Sequence, residues 1–127
     1  MERSVTILRV EEPARFNPDR LEKLCAELGE VQAESEVANA LGEIGVLLER
    51  IAAIGDRNGI AQLAGFLGKL ISASDKIGMA TLARVARDVE ASYARGDAVA
   101  LAATLARLQR VGERSILAVW DLEDLSG

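Results

Sequence analysis

The chain has no histidine, a single cysteine and two prolines among its 127 residues, and each scarcity removes a class of chemistry or of structure. Without an imidazole there is no histidine general base, no Ser-His or Cys-His nucleophile pair and no histidine metal ligand. A carboxylate-bridged di-metal bundle fails for the same reason, because its Glu-x-x-His pairs need histidines pointing into the core. Cys25 has no second cysteine to bridge, and a Gly-rich phosphate loop between a strand and a helix is missing. The sequence therefore predicts a protein that is not an enzyme and takes no cofactor or metal.

Aromatics are almost as scarce: Phe16, Phe66, Tyr93 and Trp120 are all there are, although 50% of the residues are apolar. Ala, Leu, Ile and Val supply that mass in long proline-free stretches, which is helical composition. The formal charge of −5 repels a phosphate backbone, and no Lys/Arg run with interleaved aromatics offsets it, so nucleic acid is excluded as a partner. Charges interrupt every apolar segment, the longest uncharged run being 58–68, short of the roughly 18 to 20 residues that cross a membrane. The N-terminus lacks a basic-then-apolar secretion pattern, so a reducing cytoplasm is expected, with Cys25 a small core residue.

This length accommodates one domain. Residues 1–15 read as an arm: Ser4 to Val10 have strand-like composition in Val5, Thr6, Ile7 and Val10, but no second strand to pair with. Residues 16–120 read as a helical bundle and 121–127 as a frayed tail. Asn17 and Pro18 open a short helix that sets Leu21, Leu24, Cys25 and Leu28 at helical spacing and stops at Gly29. A second helix, Val31 to Ile54, carries Val37, Leu41, Ile44, Leu48 and Ile51 on one stripe, and Gly55-Asp56 end it. A third, Gly59 to Ser74, aligns Ile60, Leu63, Leu67, Ile71 and Ser74, with Ala64 and Leu70 beside them. A fourth, Met79 to Arg95, buries Leu82, Val85, Ala86 and Val89. Gly96 stops it and Asp97 caps the last, whose seam is Leu101, Leu105, Leu108, Gly112 and Val119. Four amphipathic helices with short connections bury their stripes against one another, so the expected class is all-α: an antiparallel four-helix bundle behind a short N-terminal helix.

Two motifs are explained by this frame. Arg95-Gly96-Asp97 spells an adhesion tripeptide, yet a helix stop followed by a helix cap accounts for it. Glu22, Glu27, Glu34, Glu43 and Glu49 read as a solvated charged face. A third feature is not explained. On a wheel anchored by Ile60, Leu67 and Ile71, the small residues Ala61, Gly65, Gly68 and Ser72 fall together on the outward side. A glycine inside a helix costs about 1 kcal/mol relative to alanine, so Gly65 and Gly68 together cost about 2. Close approach of another backbone would justify them; so would packing against the second helix, where Gly42 and Gly45 are similarly spaced, and drift at a tolerant surface position would need no reason.

Ala64-Gly65-Phe66-Leu67 resembles the Ala-His-x-Leu motif of the histidine-containing phosphotransfer (HPt) family, with glycine where the phosphorylated histidine belongs. Phe16-Asn17-Pro18 with Leu21 and Leu24 is similar to that family's opening helix, and Gly55-Asp56 to the turn before its active helix. Ile77-Gly78-Met79, Leu82-Ala83, Arg87 to Glu90 and Ala94 to Asp97 are similar to its fourth helix and following turn. The resemblance spans about residues 16 to 120. Counting forward from Asp56 places the lost histidine at Gly65; counting back from Gly78 places it at Gly68. The first registration alone leaves a lysine, Lys69, beside the site.

The resemblance implies a member of two-component phosphorelay signalling, bacterial in type, that has kept a docking surface and lost the chemistry. Its expected partner is a response-regulator receiver domain or a histidine kinase, bound without accepting phosphate. The expected contact centres on Ala61, Gly65, Phe66, Gly68, Lys69 and Ser72, with Phe66 either a partly exposed anchor or a boundary core residue. The alternative is an oligomerisation module in which Gly42, Gly45, Gly65 and Gly68 let helices pack within a homodimer.

Overall fold

The computed structural model describes residues 16–54 and 57–126, and the side chains of 16–54 and 59–118. The arm, Gly55-Asp56 and the side chains of Val119 and Trp120 lie outside these. Every element among the described residues is helical. The helices are α1 (Pro18–Leu28), α2 (Glu30–Ala52), α3 (Leu63–Lys76), α4 (Ala80–Ala94) and α5 (Ala98–Ser126), with a single turn, Arg57–Ile60, before α3. The backbone of α5 stays helical to Ser126, past residue 121, where the sequence reading ends the bundle.

The ends follow the residues that specify them. The Asn17 side chain accepts the Asp19 N–H at 3.1 Å, and Pro18 at the first helical position gives up no hydrogen bond. Gly29, at φ +84°, turns α1 directly into α2. Both α3 and α4 close with paired backbone bonds around a left-handed glycine. In α3 these run from Met79 N–H to Ser74 O and from Gly78 N–H to Asp75 O, with Gly78 at φ +77°. In α4 they run from Asp97 N–H to Ser92 O and from Gly96 N–H to Tyr93 O, with Gly96 at φ +69°. Asp97 then accepts the Ala100 N–H at 3.0 Å and starts α5, so Arg95-Gly96-Asp97 is indeed a stop and a cap.

Packing runs in chain order, α1 on α2, α2 on α3, α3 on α4 and α4 on α5, and α5 returns to α2. The enclosed core holds Leu41, Ile44, Leu48, Leu63, Leu67, Leu70, Leu82, Val85, Val89 and Leu108, all buried. Ile71, placed on the central stripe by the sequence, is half-buried, and Leu70 takes the centre. Cys25 is exposed, against expectation. α1 inserts one narrow edge, with Leu24 its single buried residue among those described, so the next position along the helix already faces out.

The third helix also departs from the Gly59 to Ser74 reading. Gln62 N–H bonds Gly59 O at 2.9 Å, a three-residue closure that interrupts the helix before Phe66 N–H to Gln62 O begins α3. Asn58 and Gly59 are poor helix formers, and Gly59 is set against Ile54, whose Cγ2 would lie 3.4 Å from a Cβ there.

Two polar features tune the core. The Gln109 side chain donates to Leu48 O at 3.1 Å and fixes α5 against α2. Ser74 is fully buried and its hydroxyl has no hydrogen-bond partner among the described residues. An unpaired buried hydroxyl costs about 1–3 kcal/mol. Ser74→Ala is therefore expected to raise stability by about 1 kcal/mol in urea unfolding, the reverse of the usual sign for a core substitution.

Candidate functional site

The outward side of α3 meets α2 along an open groove. One part, about 410 Å³, is lined on α3 by Ala64, Gly65, Gly68, Lys69, Ser72 and Lys76, with Glu43 facing them from α2. A neighbouring part of about 520 Å³ lies between Phe66 and Lys69 on α3 and Gly42, Val46 and Arg50 on α2. Five of the six residues expected from sequence, Gly65, Phe66, Gly68, Lys69 and Ser72, are thus brought together. Ala61 is exposed in the turn before α3, because the Gly59–Gln62 closure displaces it from the helix, and it lines neither part.

Phe66 carries both characters suggested for it: it is half-buried, packs against the core and still lines the groove. Val46 stands beside it, 48% exposed. Val46, Glu43, Arg50 and Lys76 are groove residues that the sequence reading left out of the site. The α2 contribution was hinted at only by Gly42, since a wheel of α3 alone does not say which residues of its neighbour sit opposite.

Charges alternate along the groove. Lys76 Nζ lies 3.2 Å from Glu36 Oε1 and ties α3 to α2, with both side chains partly exposed. Pairs of that exposure contribute about 0–1 kcal/mol. Lys69 has no ion-pair partner among the described residues.

The glycines themselves are not held by the fold. A Cβ at Gly42, Gly45, Gly65 or Gly68 meets nothing within 4 Å, so none of them permits the approach of α2 to α3. A glycine that does admit a neighbouring helix is Gly112 on α5, where a Cβ would stand 2.5 Å from Leu48 Cδ1. Replacing both Gly65 and Gly68 with alanine is accordingly expected to stabilise the protein by about 1–2 kcal/mol, read as a higher urea midpoint at unchanged slope.

Comparison of the chain with protein-family models, with curated proteins and with solved structures found no match. The site's own chemistry is what remains. No group of three or more Cys, Asp or Glu among the described residues is placed to hold a metal ion, and no described helix is long and apolar enough to cross a membrane. The groove offers small residues, an apolar spot at Val46 and Phe66, and charges of both signs. These features suit recognition of a complementary surface.

Proposed function

We propose that this chain is a non-catalytic HPt-like protein of phosphorelay signalling, which docks a receiver domain or a histidine kinase through the outward face of α3 without accepting phosphate. In this reading α2 to α5 form an antiparallel four-helix bundle and α1 is the short helix preceding it. One observation carries the reading: Gly65 and Gly68 weaken α3 at exposed positions where none of the described residues needs glycine. Their conformational cost is then accounted for by a partner backbone that approaches α3 closely, with Phe66 and Lys69 beside it. Neither residue has a side chain to phosphorylate, so the protein acts by occupancy.

The test is binding by the Gly65→Arg, Gly68→Arg double variant. Arginine is a better helix former than glycine, and both positions open to free space, so the variant keeps its fold. Receiver or kinase binding is expected to fall at least tenfold. Unchanged binding would remove α3 from the interface. The homodimer alternative draws on the same open glycines, and a mass that rises with concentration in sedimentation would favour it.

A further inference from the structure

We infer that the outward face of α5 is an interface between two copies of this chain, packed antiparallel about a two-fold axis level with Val111 and Gly112. Burial defines the face. Leu108, Val111, Gly112 and Ser115 turn α5 toward the core, and on the opposite side Val99, Ala103, Ala106, Arg110, Glu113 and Leu117 are all exposed. The steps between these six alternate four and three, the spacing of a coiled-coil seam. A single exposed valine needs no reason. Here Val99, 82% exposed, and Leu117, 57% exposed, mark the two ends of one stripe with alanines between them. The stripe is about 27 Å long at 1.5 Å per residue and carries only two charges. The outward face of α4, by contrast, carries Arg84, Arg87, Glu90 and Arg95.

The charges select the occupant and its register. Arg110 and Glu113 form no ion pair among the described residues. A parallel second copy would set Arg110 on Arg110 and Glu113 on Glu113, like charge on like. In an antiparallel copy, the register that brings Arg110 to Glu113 of the second copy does so twice by symmetry. The same register sets Leu117 against Ala106 of the second copy, again twice, where the small side chain leaves room for the large one. Sliding the copies by one seam step would put Arg110 on Ala106 and Glu113 on Ala103, with neither charge paired. Val99 then lies against the far end of the other α5, whose backbone stays helical to Ser126. A contact made by the same patch on both copies closes on itself, so assembly stops at two. None of the six residues lines the groove between α2 and α3, so this interface is independent of the docking proposed above.

Sedimentation velocity of the full chain over a range of concentrations tests the interface. The parent is expected to reach the mass of a dimer reversibly. Arg110→Glu and Glu113→Arg each set like charges against one another at both symmetric contacts, and each alone is expected to weaken dimerisation at least about tenfold. Mixed in equal amounts, the two variants are expected to recover the dimer, because one copy then carries only acids at these positions and the other only arginines. That recovery also shows that both variants are folded. A dimer built on the α2 and α3 glycines would raise the mass with concentration as well, so the Gly65→Arg, Gly68→Arg variant separates the two faces: it is expected to dimerise like the parent. A monomeric parent, single variants that dimerise as before, a mixture that stays monomeric, or loss of the dimer in the Gly65→Arg, Gly68→Arg variant would each overturn the inference. Since no partner is present, none of these outcomes bears on receiver or kinase docking.

Discussion

Gly78→Ala is expected to lower stability by about 2–4 kcal/mol, and to do so by loosening α1 first. Two costs coincide at this residue. At φ +77° an L side chain is strained by about 1–2 kcal/mol. A Cβ would also stand 2.8 Å from Asn17 O, a backbone atom that no rotamer change can move aside, and 3.1 Å from Arg20 Cβ. Relief requires that the start of α1 lift away, which stretches the Asn17 N–H bond to Gly78 O. The control is Gly96→Ala, at φ +69° with nothing within 4 Å, where only the backbone strain applies. Urea unfolding is expected to separate the two variants by at least about 1 kcal/mol, a typical overpacking cost. Faster hydrogen exchange in α1 than in α3 or α4 would locate the damage. Equal losses for the two would show that α1 is not seated on the α3–α4 turn.

The second large effect is a change of sign at Gly112. Leu48→Ala is expected to cost about 2–5 kcal/mol as a buried leucine truncation. Gly112→Ala in the parent chain gains about 1 kcal/mol of helix propensity. It sets that gain against a Cβ 2.5 Å from Leu48 Cδ1, 3.0 Å from Cδ2 and 3.3 Å from Cγ. Leu48 is buried in the packed core, so its side chain has little room to retreat and the net effect is a loss of about 1–2 kcal/mol. In the Leu48→Ala background all three of those atoms are gone, and Gly112→Ala becomes stabilising. A double-mutant cycle is expected to return a coupling of about 2 kcal/mol. Additive effects would mean that α5 does not approach α2 through Gly112.

How far the sequence carried these conclusions depends on which physics each feature rests on. Caps and stops are local, so Asn17, Gly29, Gly96 and Asp97 were legible from residue type and order alone. Helical periodicity found Leu41, Ile44, Leu48, Leu82, Val85 and Val89, all of which are buried. It failed where a helix has only one buried edge, as at Cys25, and where a three-residue closure shifts the phase, as at Gly59 to Gln62. The close approach at Gly78 was invisible because it depends on Asn17, 61 positions away in the chain.

The same distinction separates the glycines. Gly112 appears on a helical wheel as one more seam position, and only the position of Leu48 reveals that it is a socket. Gly42, Gly45, Gly65 and Gly68 share a spacing that suggests helix packing, yet each opens to space. The groove that Gly42, Gly65 and Gly68 help to line gathers residues from two helices, and half of it, Glu43, Val46 and Arg50, is supplied by the helix that the motif does not touch.

The most direct test of the docking reading is a pull-down from a lysate of the native cell with the purified protein and with its Gly65→Arg, Gly68→Arg variant side by side, identified by mass spectrometry. Docking through α3 predicts that a receiver domain or histidine kinase is recovered by the parent protein and lost with the variant. Recovery of the same partner by both proteins, or of nothing but further copies of the chain itself, would contradict it.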